Sequence, residues 1–186
     1  MVADKSGPLP NVLRAATRKE VAWKNGGGVT SEIAAFPAGS SIDNFGWRIS
    51  TALVTAAGPF SIFEGIDRNL TVLEGRLLLR FAADGSEIVL GWGQRHCFAG
   101  DVAVEGVPLD GPVRDLNVMV RRGEWQAEVA TARPQSFADE TLIAIATQPS
   151  RGFATLDAVF VAPDTEIASD FVGLFVHLRP ATESRR

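Results

Sequence analysis

The most constraining feature of this chain is its punctuation. Short runs rich in β-branched and apolar residues recur along its whole length, and Gly, Pro and Asp-Gly turns cut them before any could become a long helix. Such runs fall at residues 32–36, 47–54, 70–81, 86–90, 102–104, 116–121, 125–131, 142–147, 154–161 and 171–178. Gly58-Pro59, Asp84-Gly85 and Gly111-Pro112 are among the breaks. A doubly wound α/β fold needs helices of about 10–15 residues between its strands, and none is visible. The pattern therefore predicts an all-β sandwich or barrel. Residues 11–20 are the one helix candidate. Asp84-Gly85, flanked by two apolar runs, predicts a hairpin turn.

Composition removes several function classes. The 186 residues carry a formal charge of −4, and the only lysines are Lys5, Lys19 and Lys24. Nucleic-acid surfaces need clustered cations, so no nucleic-acid partner is expected. No apolar run approaches the roughly 20 residues that span a bilayer, so no membrane partner is expected either. Residues 1–10 lack the apolar centre of a signal peptide. A single cysteine, Cys97, excludes an internal disulfide framework and fits the reducing cytoplasm. His96 and Cys97 are adjacent, and neighbours on a strand point to opposite faces, so they do not converge on one ion. With His177 the only other histidine, the residues predict no metal and no cofactor.

Strand parity sorts the polar residues. In 47–54, Trp47, Ile49, Thr51 and Leu53 share one face, while Arg48, Ser50, Ala52 and Val54 share the other. In 114–121, Leu116, Val118 and Val120 form a core face opposite Asp115, Asn117, Met119 and Arg121. A face bearing Asp, Asn and Arg is either solvated or lines a polar cavity. Lys24-Asn25-Gly26-Gly27-Gly28 reads as a turn, because it lacks the Lys-Ser/Thr ending of a phosphate loop. Thr30 and Glu32 follow on one face of the next strand. Trp23 and Trp47 read as core anchors, with stacking on a planar ligand as the alternative.

The blocks Gly58-Pro-Phe-Ser-Ile-Phe63, Leu73-Glu-Gly75 and Phe98-Ala-Gly-Asp101 resemble the cupin motifs. Aligned on Gly75 and Gly100, Arg68 falls at the cupin glutamate, Ala103 at the third histidine, and the His-x-His pair within 61–64, which holds no histidine. Trp23-Lys-Asn-Gly-Gly-Gly-Val-Thr30, Phe45-Gly-Trp-Arg-Ile-Ser50, Gly65-Ile-Asp-Arg68 and Asp115-Leu-Asn-Val-Met-Val-Arg-Arg122 extend the match to the HutD/Ves family. The resemblance implies a metal-free bicupin, with a motif-bearing half at 1–122 and a second cupin-like half at 123–186 that share strands as one folding unit. It implies binding of a small anionic metabolite of histidine utilisation, such as urocanate or N-formylglutamate. Arg48 and Arg68 are the candidate anion forks, with Glu32, Asp115 and Asn117 orienting the ligand and Asp67 or Asp115 holding Arg68 without it. The rival reading is a cupin-scaffold isomerase or epimerase acting on a small acid or sugar. Such chemistry usually draws on Tyr or a His–Asp pair, and this chain has no Tyr. Exposed sheet edges are compatible with a homodimer.

Overall fold

The computed structural model describes residues 12–162, 165 and 167–181. Its regular elements are a 3₁₀ turn at Ala15–Thr17 and fourteen strands: β1 (Glu20–Ala22), β2 (Gly28–Phe36), β3 (Trp47–Val54), β4 (Gly58–Pro59), β5 (Ile66–Glu74), β6 (Leu77–Phe81), β7 (Glu87–Leu90), β8 (Arg95–Ala99), β9 (Val104–Pro108), β10 (Val113–Arg121), β11 (Trp125–Ala130), β12 (Thr141–Ala146), β13 (Ala158–Phe160) and β14 (Gly173–Pro180). The fold is all-β, as the punctuation predicts, and of the sandwich-like cupin type, as the resemblance implies. The chain divides into two units, Arg18–Glu128 with the chain from Leu178, and Val129–His177 with the chain up to Thr17.

The larger unit contains a six-stranded sheet in the order β1-β2-β3-β10-β5-β8 and a four-stranded sheet in the order β4-β9-β6-β7. Among the described residues, the strand pairings within them are antiparallel. Val54, Leu70, Val72, Leu77, Leu79, Phe81, Leu90, Val104 and Val113 meet as one buried cluster. The expected hairpin is present: Gly85 N–H donates to the Phe81 carbonyl at 3.0 Å, and Ser86 N–H to Asp84 Oδ1 at 2.9 Å. The predicted run 70–81 is two strands, because the chain turns at Gly75. Its φ is 79°, and a Cβ there would stand 2.9 Å from the Pro112 carbonyl oxygen.

In the smaller unit, Leu142, Ala144, Ala146, Phe153, Val159, Val161 and Phe175 form a second core cluster. The helix expected over 11–20 is not formed: Asn11 lies outside the described residues, and the remainder holds only the 3₁₀ turn and the start of β1. Tertiary bonds take the backbone groups a helix would use. Leu13 bridges to Ala158, its N–H donating at 2.7 Å, and the Ala15 N–H donates to Asp157 Oδ1 at 2.8 Å.

Candidate functional site

Three adjacent strands of the six-stranded sheet build the site by register. Met119 of β10 is paired with Arg48 of β3 on one side and with Arg68 of β5 on the other. The next row along the same face is Ser50–Asn117–Leu70, and the one after is Ala52–Asp115–Val72. Side chains on one face of a sheet repeat every second residue, so this face grades from an apolar end at Val54, Val72 and Val113 to a polar end at Arg48 and Arg68. The two arginines stand two strand spacings apart, about 10 Å between backbones.

At the polar end lies a cavity of about 580 Å³. Arg48, Arg68, Asp115, Asn117, Ser50 and Met119 line it from the sheet. Trp23, Lys24, Asn25, Phe60, Ser61 and Phe63 contribute from the β1–β2 turn and the segment after β4. Four of the five candidate residues thus share one cavity. Glu32, the fifth, stands outside its lining. The register of β2 against β3 shifts between Glu32 and Ala34, and Glu32 is exposed, its Oε2 accepting from Arg48 Nε at 2.7 Å.

Arg68 has the most constrained environment. It is 6% exposed. Its guanidinium carbon lies 5.4, 5.6 and 5.0 Å from the ring centroids of Phe60, Phe63 and Phe98. Its Nη1 donates to the Ser61 carbonyl at 3.4 Å, a long bond, and its buried Nε has no partner. Burial pushes the guanidinium down to about 10, against the pull of Asp115. A shift of that size corresponds to about 3 kcal/mol against the charged form. Asp67 does not hold this arginine, since it accepts from Arg122 Nε at 2.7 Å. Neighbours on a strand face opposite ways, so only one of Asp67 and Arg68 can enter the cavity.

Asp115 is 2% exposed, and burial pushes its carboxyl up to about 7, against the opposing pull of Arg68 and Arg114. Asn117 carries a buried Oδ1 without a hydrogen-bond partner. Arg121, on the same parity, is spent elsewhere: its Nε and Nη2 donate to the Phe45 carbonyl at 3.2 and 3.0 Å. Trp23 lines the cavity, with its Nε1–H donating to Thr30 Oγ1 at 2.7 Å, whereas Trp47 stacks on Phe36 away from it. The Lys24–Gly28 segment is a turn, closed by the Trp23 N–H donating to the Gly28 carbonyl at 2.9 Å. Among the described residues, no three His, Cys, Asp or Glu side chains gather as a metal set. The site therefore offers two guanidiniums, an amide and a carboxyl inside an aromatic wall.

Sequence reasoning missed the aromatic cage. Phe60 and Phe63 stand in a block quoted for its resemblance, but nothing in strand parity places them around Arg68, because they precede β5 in an irregular segment.

The HutD family model matches residues 15–158, which include every site residue named above. This chain belongs to the HutD family. A Pseudomonas putida relative, described as an uncharacterized 21.2 kDa protein in the hutC 3' region, is 36% identical over 138 residues, 71% of each chain. Protein Ves of Citrobacter koseri is 37% identical over 111 residues, 59% of this chain and 57% of that protein, so the match spans little more than half of its length. Among solved structures, HutD from Pseudomonas fluorescens SBW25 superposes with a TM-score of 0.74 at 26% identity, covering 91% of this chain and 98% of that one. A conserved protein of unknown function from Pseudomonas aeruginosa PAO1 gives 0.70 at 32% identity, covering 93% of each. The HutD family is linked to the histidine-utilisation locus. Among the described residues, no helix is long and apolar enough to cross a membrane.

Proposed function

We propose that this HutD protein is a cytoplasmic binder of a small carboxylate and that it modulates histidine catabolism by sensing an intermediate such as urocanate or N-formylglutamate. The observation that carries this reading is Arg68: a caged guanidinium whose buried Nε–H has no acceptor, in a side chain that lines a cavity of about 580 Å³. A buried donor left unpaired costs about 1–3 kcal/mol, which an incoming carboxylate oxygen recovers. Charged hydrogen bonds of this kind contribute roughly 1.5–3 kcal/mol each. Arg48 supplies a second cation at the rim, and Asn117 a donor and an acceptor for the rest of the ligand.

The test is a thermal-shift screen of both acids beside their neutral amides, followed by calorimetry. An acid at a hundredfold excess over its Kd should stabilise the protein by about 2.7 kcal/mol. Arg48→Lys should weaken binding about tenfold while keeping the charge, because an ammonium cannot replace a planar fork. If no acid stabilises the protein more than its amide does, the cavity is not a carboxylate site.

A further inference from the structure

A carboxylate entering this cavity meets a carboxyl group already there. Asp115 projects from β10 on the cavity face, and among the described residues no hydrogen bond reaches its side chain. Arg68 of β5 lines the same cavity and pulls on its charge, and Arg114, on its own strand, pairs with Glu74 at 3.5 Å. Arg48 lines the cavity from β3 and is bonded to Glu32, while Lys24 lines it from the β1–β2 turn. Arg68 is therefore the principal counter-charge for Asp115, and its Nε still lacks an acceptor.

A ligand carboxylate would bring a second negative charge beside Asp115, while Arg68 is desolvated and Arg48 is already bonded to Glu32. Phe60, Phe63 and Phe98 pack around the Arg68 guanidinium and Asp115 is itself buried, and paired carboxylates in a desolvated place tend to hold one proton between them. We propose that anion binding in this cavity takes up one proton from solvent at Asp115, whose neutral carboxyl then donates its O–H to the bound ligand. No other bond forms or breaks. The inference rests on the carboxylate-site reading and adds a selection rule to it. The ligand must present an acceptor toward Asp115 as well as one toward Arg68.

The free carboxyl is already pushed up to about 7 by burial, so the proton is available near neutrality. The sign follows from linkage. Below that value the free site is already protonated, and affinity is flat with pH. Above it a proton must be taken up, and affinity falls about tenfold per pH unit until the bound carboxyl itself ionises.

The experiment is calorimetric titration of the full chain with formate and with N-formylglutamate, neither of which titrates between pH 6 and 9. Measurements in two buffers of different ionisation enthalpy count the protons. The expected result is close to one proton taken up per ligand at pH 8.5, close to none at pH 6, and no uptake with pH-independent affinity in Asp115→Asn. Should that variant fail to fold, carbon-13 titration of the wild-type carboxyl groups, with and without formate, reads the same event. Asp115 should then remain protonated at pH 8.5 only in the complex. Binding without proton uptake at pH 8.5, or uptake that survives in Asp115→Asn, overturns this inference alone. Failure of both acids to bind overturns it together with the carboxylate-site reading.

Discussion

Arg68 is held by packing, not by pairing, and this makes it costly to the fold and useful to the site. Three phenyl rings surround the guanidinium, one long bond reaches Ser61, and Nε is idle. Replacing a buried charge of this kind with an apolar side chain of similar volume is often neutral or stabilising, by up to a few kcal/mol. Arg68→Met should accordingly leave the melting temperature unchanged or raise it, while carboxylate binding falls at least tenfold in calorimetry. A variant that loses stability and binding together would make Arg68 a scaffold residue. This position was legible in the sequence because Gly75 fixes the motif register, and Arg48 because its strand alternates without a break. Asp67 was not, since an adjacent Asp-Arg pair looks like a salt bridge until strand geometry turns the two side chains to opposite faces.

Strands carry the register that brings Arg48, Met119 and Arg68 into one row, and a neighbouring strand supports the wall around it. Gly106 of β9 sits against Phe60, where a Cβ would stand 2.5 Å from the ring. Gly106→Ala should therefore displace Phe60 from its place beside Arg68 and weaken ligand binding, at a stability cost of about 1–3 kcal/mol from overpacking. Paired calorimetry and denaturant melts check both. Unaltered affinity would mean that Phe60 does not shape the site. The long strands were readable because their apolar alternation is clean: 47–54 is β3 to the residue. β4, with two residues, and β8, whose Arg95-His96-Cys97 mixes polar and apolar types, gave no such signal. The predicted helix failed for a different reason. Its backbone groups bond to Ala158 and Asp157, about 140 residues away, and local propensity carries no trace of that.

At the scale of the whole molecule, the chain leaves its larger unit at Glu128, builds the smaller one through His177, and returns at Leu178. Leu178 is fully buried, and the Ala181 N–H donates to the Glu124 carbonyl at 2.8 Å. A chain cut after Glu128 loses this return segment, so it should melt well below the full chain in thermal denaturation. An equally stable fragment would show that the segment is dispensable. The smaller unit is tied to the N-terminal segment through Asp157. Burial would raise its carboxyl, but hydrogen bonds from the Ala15 and Ala154 N–H groups and from Arg14 prevail and hold it below the usual range. The stability it contributes is present above the unfolded carboxyl value, near 4, and is lost as pH falls through the lower folded value. Asp157→Ala should cost about 2 kcal/mol at pH 7 and less in acid, measured by denaturant melts at both pH values. The boundary expected between 1–122 and 123–186 lies close to the crossing at Glu128, whereas the crossings after Thr17 and His177 have no counterpart in the sequence. The claim on which the functional account depends is that a ligand carboxylate seats on Arg68, and a crystal structure with the tightest-binding acid tests it most directly. The expected result is a carboxylate oxygen within about 3.2 Å of Arg68 Nε, between the Phe60, Phe63 and Phe98 rings. A ligand bound elsewhere, with that Nε still unpaired, would contradict it.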